Sequence, residues 1–232
     1  MKNNIAIILA NGRGQRFGGE QPKQFLKIGD RSVLEHSITA FQDHPEISEI
    51  IIVADKDFHD TIWESVKRLS FNKVSVVIEG GKERHHSSIA AINHIGLRDC
   101  NILIHDAVRP FVNREIIDNV IGALAIYKAV NVGVPATDTV VAVDNANSCI
   151  MEIPDRKQLY MVQTPQGFDS ATLREAFSLA NNDPNFQPTD DCSVVKKYLP
   201  NEKIKVVAGS RRNIKLTWKE DFNLAEFFIN DK

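Results

Sequence analysis

The sequence predicts an α/β fold, a mainly parallel (mixed) sheet flanked by helices, with a β-arm projecting from it. Three observations carry this. Six short apolar runs recur along the chain, separated by segments whose apolar residues follow a helical period. A glycine-punctuated segment follows the first run without a spacer. One stretch, about 139–162, interrupts the alternation with hairpin-like residues. Alternating β and α units fold most simply into parallel strands joined by helical crossovers.

The first run, IAIILA (5–10), is short, isoleucine-rich and free of alternation, which marks a strand covered on both faces. Gly12, Gly14, Gly18 and Gly19 follow it and let the backbone turn tightly with its N–H groups exposed. EIIIVAD (49–55) is the second run. Phe58, Ile62, Val66 and Leu69 then share one helical face. VSVVIEG (74–80) and NILIHDA (101–107) are the next two runs. Asn113 is placed to cap the helix EIIDNVIGALAIY (115–127), and VNVGVPA (130–136) follows. TVVAVD (139–144) and CIMEI (149–153) flank the turn-like NANS, so they read as a hairpin, either a lid or an oligomerisation arm. An oligomerisation arm is expected. KIKVVAG (203–209) is the last run. Thr217 and Glu220 have capping-box spacing ahead of the helix WKEDFNLAEFFIN (218–230). With no linker or repeat, residues 1–232 read as one domain.

At 232 residues, 43% apolar and 25% charged, the composition is that of a soluble globular protein. A net charge of −2 argues against a nucleic-acid partner. An anionic ligand must then be held by local positive charge, which suffices because exposed charges are screened beyond roughly 8 Å. Cys100, Cys149 and Cys192 are scattered, with no disulfide framework and no CxxC pair, so a reducing cytoplasm is expected. No run approaches the roughly 20 apolar residues of a membrane span, and residues 5–10 are too short for a secretory signal.

The chemistry concentrates after the strands, where ligands sit in an open α/β sheet. The glycine segment carries Arg13, Arg16 and Lys23, and exposed N–H groups beside such cations suit a polyphosphate. It is neither GxxxxGK[ST] nor GxGxxG, since position 17 is Phe. Asp106 ends the fourth run, where a carboxylate can help hold Mg²⁺ together with phosphate oxygens and water. Arg109 can orient it or reach a phosphate. Gly80 and Gly81 let a base approach the backbone, with Arg84 and Ser87 beside them. The adjacent His85 and His86 read as surface residues. Tyr160 and Trp218 read as core or interface aromatics.

In order, the stretches LANGRGQRFGGEQPKQF (9–25), GGKERHHSS (80–88), IHDAVRPF (104–111), VPATDTV (134–140), MVQTPQGF (161–168), TDD (189–191) and NIKLT (213–217) cover nearly the whole chain. In them the chain resembles the CTP-dependent polyol phosphate cytidylyltransferases, which include the methylerythritol phosphate and the ribitol 5-phosphate enzymes. The resemblance implies a Rossmann-like nucleotidyltransferase fold, Mg²⁺, CTP and a polyol phosphate as substrates, and a homodimer formed through the β-arm. It places Arg16, Lys23 and Lys215 in catalysis, with Lys215 on a short strand opposite the glycine segment. It places Ala10, Asn11, Gly12, Gly14, Gly80, Gly81, Arg84, Ser87, Asp106 and Ala107 around CTP. The polyol phosphate falls to Asp106, Arg109, Thr139, Arg156, Thr164, Thr189 and Lys215, partly from a neighbouring subunit. Asp106 is the implied metal residue. Thr189 equally suits an N-cap for the helix after it.

The chain departs from the pattern in places. Asn11 stands where the family usually has Ala or Gly. Arg212 stands where many methylerythritol enzymes carry an acid, which puts a second magnesium carboxylate in doubt. Val140 follows the DT pair where a basic residue is usual, and Val108 and Tyr160 also look more like the ribitol branch. These marks favour D-ribitol 5-phosphate over 2-C-methyl-D-erythritol 4-phosphate. The competing readings are a sugar-1-phosphate nucleotidyltransferase, against which HDAVRP and VQTPQGF argue, and a non-catalytic nucleotide-binding subunit.

Overall fold

The computed structural model describes residues 2–12, 21–144 and 146–231. The chain runs β1 (Asn3–Leu9), β2 (Lys27–Ile28), β3 (Arg31–Ser32), α1 (Val33–Gln42), β4 (Ile47–Ala54), α2 (His59–Arg68), β5 (Val74–Glu79) and α3 (Arg84–Ile95). It continues through β6 (Cys100–Asp106), α4 (Arg114–Leu124), β7 (Ala129–Pro135), β8 (Ala142–Asp144), β9 (Cys149–Glu152) and β10 (Tyr160–Asp169). It ends with α5 (Ser170–Ala180), α6 (Asp191–Tyr198), β11 (Ile204–Ala208) and α7 (Glu220–Asn230). Seven strands form one sheet in the order β11-β7-β10-β6-β1-β4-β5. All six apolar runs are strands of it. The pairs β11–β7, β6–β1, β1–β4 and β4–β5 are parallel.

The sheet separates two cores, and the strand period explains why. Ala6, Ile8, Ile50 and Ile52 face one side, where Leu34, Ile38, Ile62, Val66, Ile117 and Val120 of α1, α2 and α4 cover them. Ile5, Ile7, Ile51 and Val53 face the other, against α3, α5 and α6. Both faces are dry, so the strands carry apolar residues at every position. Asn113 caps α4 as expected, its Oδ1 accepting from the Ile116 N–H at 3.0 Å. A third, smaller core of Ile28, Val33, Leu216 and Ala225 seats α7 on β2 and α1.

Four expectations are corrected. The arm is shorter than 139–162: its two-stranded sheet is β8 with β9, and residues 160–162 belong to β10 of the main sheet. β10 carries MVQTPQGF and lies antiparallel between β6 and β7, which makes the sheet mixed. It went unseen because Gln163, Thr164 and Gln166 interrupt its apolar pattern, and all three are buried. Residues 213–217 run as a loop, not a strand. The Thr217–Glu220 capping box does not form. Instead the Asp221 carboxylate, one residue further on than Glu220, accepts the N–H groups of Thr217 at 2.6 Å and Trp218 at 2.7 Å. Tyr160 and Trp218, read as core or interface aromatics, are both exposed in the single chain.

Candidate active site

Strand register brings the functional loops to one edge. Leu9 of β1 pairs with Val53 of β4 on one side and with Asp106 of β6 on the other. The Ala10 N–H donates to the Val53 carbonyl at 2.7 Å, Ala107 to Leu9 at 3.0 Å, and Gly80 to Ala54 at 3.1 Å. The loops after β1, β5 and β6 therefore leave the C-terminal edge together.

Asp106 is the centre of charge there. Its Oδ1 accepts from Arg84 Nε at 3.0 Å and its Oδ2 from Lys215 Nζ at 2.8 Å, with Arg109 Nε 3.9 Å from Oδ2. Burial alone would raise the carboxyl pKa. The charges of Arg84 and Lys215, the Lys215 hydrogen bond and the Arg109 charge overcome this and hold it far below the usual carboxylate range. Burial works against the charged Arg84 too, but Asp191 and Asp106 hold it well above its ordinary value. Arg109 is pulled down by burial, with Asp106 acting the other way.

The neighbours of Asp106 form a directed chain of hydrogen bonds. His105 is fully buried, and its Nε2 lies 3.1 Å from the Arg109 carbonyl, which can only accept. Nε2 therefore carries the proton. Nδ1 then accepts from the Thr164 hydroxyl at 3.0 Å, and that hydroxyl accepts from the Asp106 N–H at 3.1 Å. Burial, outweighing the neighbouring Asp106 charge, lowers the His105 pKa to about 4.

Lys215 reaches this edge without a strand. Asn213 is fully buried, and its Nδ2 donates to the Thr164 carbonyl at 2.9 Å and to Gln163 Oε1 at 3.3 Å. The Asn213 carbonyl accepts from Arg109 Nη1 at 2.9 Å, and the Leu216 N–H donates to the Val108 carbonyl at 2.9 Å. Lys215 is thus bracketed by two anchored residues.

Beside this cluster lies a glycine cradle. A Cβ on Gly80 would sit 2.5 Å from Asn11 Cγ and 2.7 Å from Ser87 Oγ, and one on Gly81 would overlap His86. Asn11 Nδ2 donates to the Gly81 carbonyl at 2.5 Å. Asn11 Oδ1, Ser87 Oγ and Arg84 Nη2 are buried with no hydrogen-bond partner among the described residues. A buried polar group left unpaired is costly, so this convergence of donors and acceptors fits a polar ligand.

The family described as "IspD: 2-C-methyl-D-erythritol 4-phosphate cytidylyltransferase" matches residues 4–231. The chain belongs to the IspD family. With that family it belongs to the CTP-dependent cytidylyltransferases, a class of nucleotidyltransferase. It is 44% identical over 225 residues to the bifunctional ribulose 5-phosphate reductase/CDP-ribitol pyrophosphorylase Bcs1 of Haemophilus influenzae, covering 96% of this chain. The chain spans about half, 47%, of that protein's length. It is 39% identical to the 2-C-methyl-D-erythritol 4-phosphate cytidylyltransferase of Bifidobacterium longum, over 96% of this chain and 78% of that one. The crystal structure of the 4-diphosphocytidyl-2C-methyl-D-erythritol synthase of Anaerococcus prevotii superposes with a TM-score of 0.86, at 30% identity and 99% coverage of both chains.

In this IspD family member the expected residues do not all meet at one place. Asn11, Gly80, Gly81, Arg84, Ser87, Asp106, Arg109 and Lys215 converge as described, with Ala10 and Ala107 as buried backbone at the same edge. Gly12 opens the loop, and its carbonyl accepts from Gln24 Nε2 at 2.9 Å, as the Ala10 carbonyl does at 2.6 Å. Buried Gln24 thereby ties the turn carrying Lys23 to the loop entrance. Gly14 and Arg16 lie outside the described residues. Thr139 and Arg156 stand exposed at the arm, where Arg156 Nη1 donates to the Thr137 carbonyl at 3.0 Å. Thr164 is buried with its hydroxyl engaged by His105 and Asp106, so it holds the site in shape. Thr189 is exposed and does not cap α6. Asp190 does, accepting from the Ser193 N–H at 2.7 Å.

Direct magnesium coordination by Asp106 does not fit this arrangement. Both of its oxygens are engaged by cations, and a third cation lies 3.9 Å away. Among the described residues no group of three or more His, Cys, Asp or Glu side chains is placed to hold a metal ion. Arg212, in place of a second acid, bonds Asp231 at 2.5 Å and lies 5.2 Å from the Phe228 ring. Sequence reasoning missed Gln24, His105, Gln163, Gln166, Asp191 and Asn213. All lie within or beside the quoted motifs, but only burial shows that they organise the loops.

Proposed function

We propose that the chain transfers CMP from CTP to D-ribitol 5-phosphate, giving CDP-ribitol and pyrophosphate. A phosphate oxygen of the polyol forms a bond to the α-phosphorus as the bond from that phosphorus to the bridging β-phosphate oxygen breaks. Two anions must meet, so the barrier is chiefly electrostatic and positional. The observation that carries the reading is Asp106 held among Arg84, Arg109 and Lys215 beside the Gly80–Gly81 cradle. Incoming phosphates draw on Lys215 and Arg109, while Arg84 stays held by Asp106 and Asp191. Lys23 and Arg16 supply further charge from the β1 loop. Unpaired groups of Asn11, Ser87 and Arg84 suit the edge of a cytosine, and a site built to satisfy them discriminates strongly against a base that cannot. Mg²⁺ bound with the triphosphate would be held by phosphate oxygens and water and would offset their charge.

Ribitol is supported by the Haemophilus relative, whose name includes CDP-ribitol pyrophosphorylase, and by Val140 and Arg212 in this chain. The alternative acceptor, 2-C-methyl-D-erythritol 4-phosphate, is favoured by the Bifidobacterium relative and the Anaerococcus structure. A homodimer through the arm is proposed from its exposed Val143, Ile150, Met151 and Ile153, which bring Thr139 and Arg156 to a partner's polyol phosphate. Unpaired Cys100, Cys149 and Cys192 suit a reducing, cytoplasmic setting.

The test is pyrophosphate release with four nucleoside triphosphates, Mg²⁺ and each polyol phosphate. Release with CTP and ribitol 5-phosphate is expected. Preference for the methylerythritol substrate would replace the acceptor, and preference for another triphosphate would remove the CTP assignment.

A further inference from the structure

Asp191 is a carboxylate only 1% exposed on the first residue of α6. Its Oδ2 accepts from Arg84 Nη1 at 2.6 Å, while Arg84 Nε donates to Asp106 Oδ1 at 3.0 Å. Two carboxylates from different elements therefore grip one guanidinium. A flexible side chain held at two points has one orientation left. The third nitrogen, Nη2, is buried and has no partner among the described residues. It is the donor left over for a ligand.

Asp191 is itself fixed from behind. Gln166 of β10 is fully buried. Its Oε1 accepts the N–H groups of Asp191 at 3.1 Å and Cys192 at 3.3 Å. Its Nε2 donates to Asp190 Oδ2 at 2.7 Å and Asn131 Oδ1 at 3.1 Å. The sheet thus sets α6, α6 sets Asp191, and Asp191 sets Arg84.

We infer that Asp191 is a positioning residue for the nucleotide site, fixing the Arg84 fork so that Nη2 is presented to bound CTP. This rests on the CTP-dependent reading above. Simple charge makes the opposite prediction: removing a carboxylate leaves the site more positive and favours an anion. The sign of the effect therefore separates positioning from bulk electrostatics.

The experiment is calorimetric titration of the full chain with CTP and no polyol, as a double-mutant cycle of Asp191→Asn and Arg84→Ala. Asp191→Asn is expected to weaken CTP about tenfold, the scale of one charge-assisted hydrogen bond. In the Arg84→Ala background the same change is expected to do nothing. Equal weakening in both backgrounds would mean that Asp191 acts only on the start of α6, and that overturns the inference. Unchanged or tighter binding by Asp191→Asn overturns it as well. If Asp191→Asn does not fold, Asp191→Ser takes its place in the cycle, with the same expected and overturning results. Failure of the unaltered chain to bind CTP sinks the functional reading first, and the inference with it.

Discussion

At the residue scale, burial decides charge and shape. His105 is neutral because its ring is fully buried between Thr164 and the Arg109 carbonyl, next to Phe41 at 5.1 Å between ring centres. With its folded pKa lowered to about 4, against about 6.5 in the unfolded chain, the unfolded state binds more protons between those values. Stability from this group is therefore complete above the unfolded pKa and is lost as pH falls through the window, on the order of 3 kcal/mol. Melting temperatures measured from pH 7 to pH 4 are expected to fall less steeply in His105→Gln than in the native chain. Gly80 makes the complementary case for shape. Gly80→Ala puts a methyl against Asn11 and Ser87, and overpacking of this kind costs about 1–3 kcal/mol. Because both neighbours belong to the cradle, the KM for CTP is expected to rise about tenfold. An unchanged KM would show that the cradle does not contact the nucleotide.

At the element scale, caps and anchors set where the functional loops begin. α6 starts at Asp191 because Asp190 and Ser193 form a reciprocal capping box, whereas Thr189 only donates its N–H to Ser193 Oγ at 3.2 Å. Asp190→Ala is expected to cost about 1 kcal/mol of stability, the usual worth of a cap, and Thr189→Ala almost none. Urea denaturation of the two variants checks this, and the reverse order would return the cap to Thr189. β10 is the element least visible in sequence. Its Gln163, Thr164 and Gln166 spend their polar groups on the loop of Asn213, on His105 and on α6. A strand that buries so many polar side chains reads locally as a loop, since its apolar period is broken.

At the scale of the whole molecule, the arm leaves apolar side chains in solvent. Ile150, Met151 and Ile153 are 60%, 72% and 61% exposed on a hairpin that packs little of itself. A two-stranded ribbon of this size is marginal alone in water. Replacing Ile150 and Met151 together by Glu is expected to halve the mass seen by light scattering. It is also expected to lower turnover about tenfold or more, the cost of a misplaced substrate group. A native chain that is monomeric and fully active would remove the arm-mediated dimer.

The sequence by itself determined the parallel core, the six apolar strands and the loops that carry chemistry. Those features are written locally, in apolar runs, glycines and caps, and they hold whatever the rest of the chain does. Only the tertiary structure decided that β10 runs antiparallel through the middle of the sheet, that Lys215 meets Asp106 from a loop, and that Asp191 holds Arg84. Lys215 and Asp106 are 109 residues apart in the chain and Arg84 and Asp191 are 107 apart. No local pattern encodes such pairs. They form because a buried carboxylate requires a cation, and the fold determines which one is within reach.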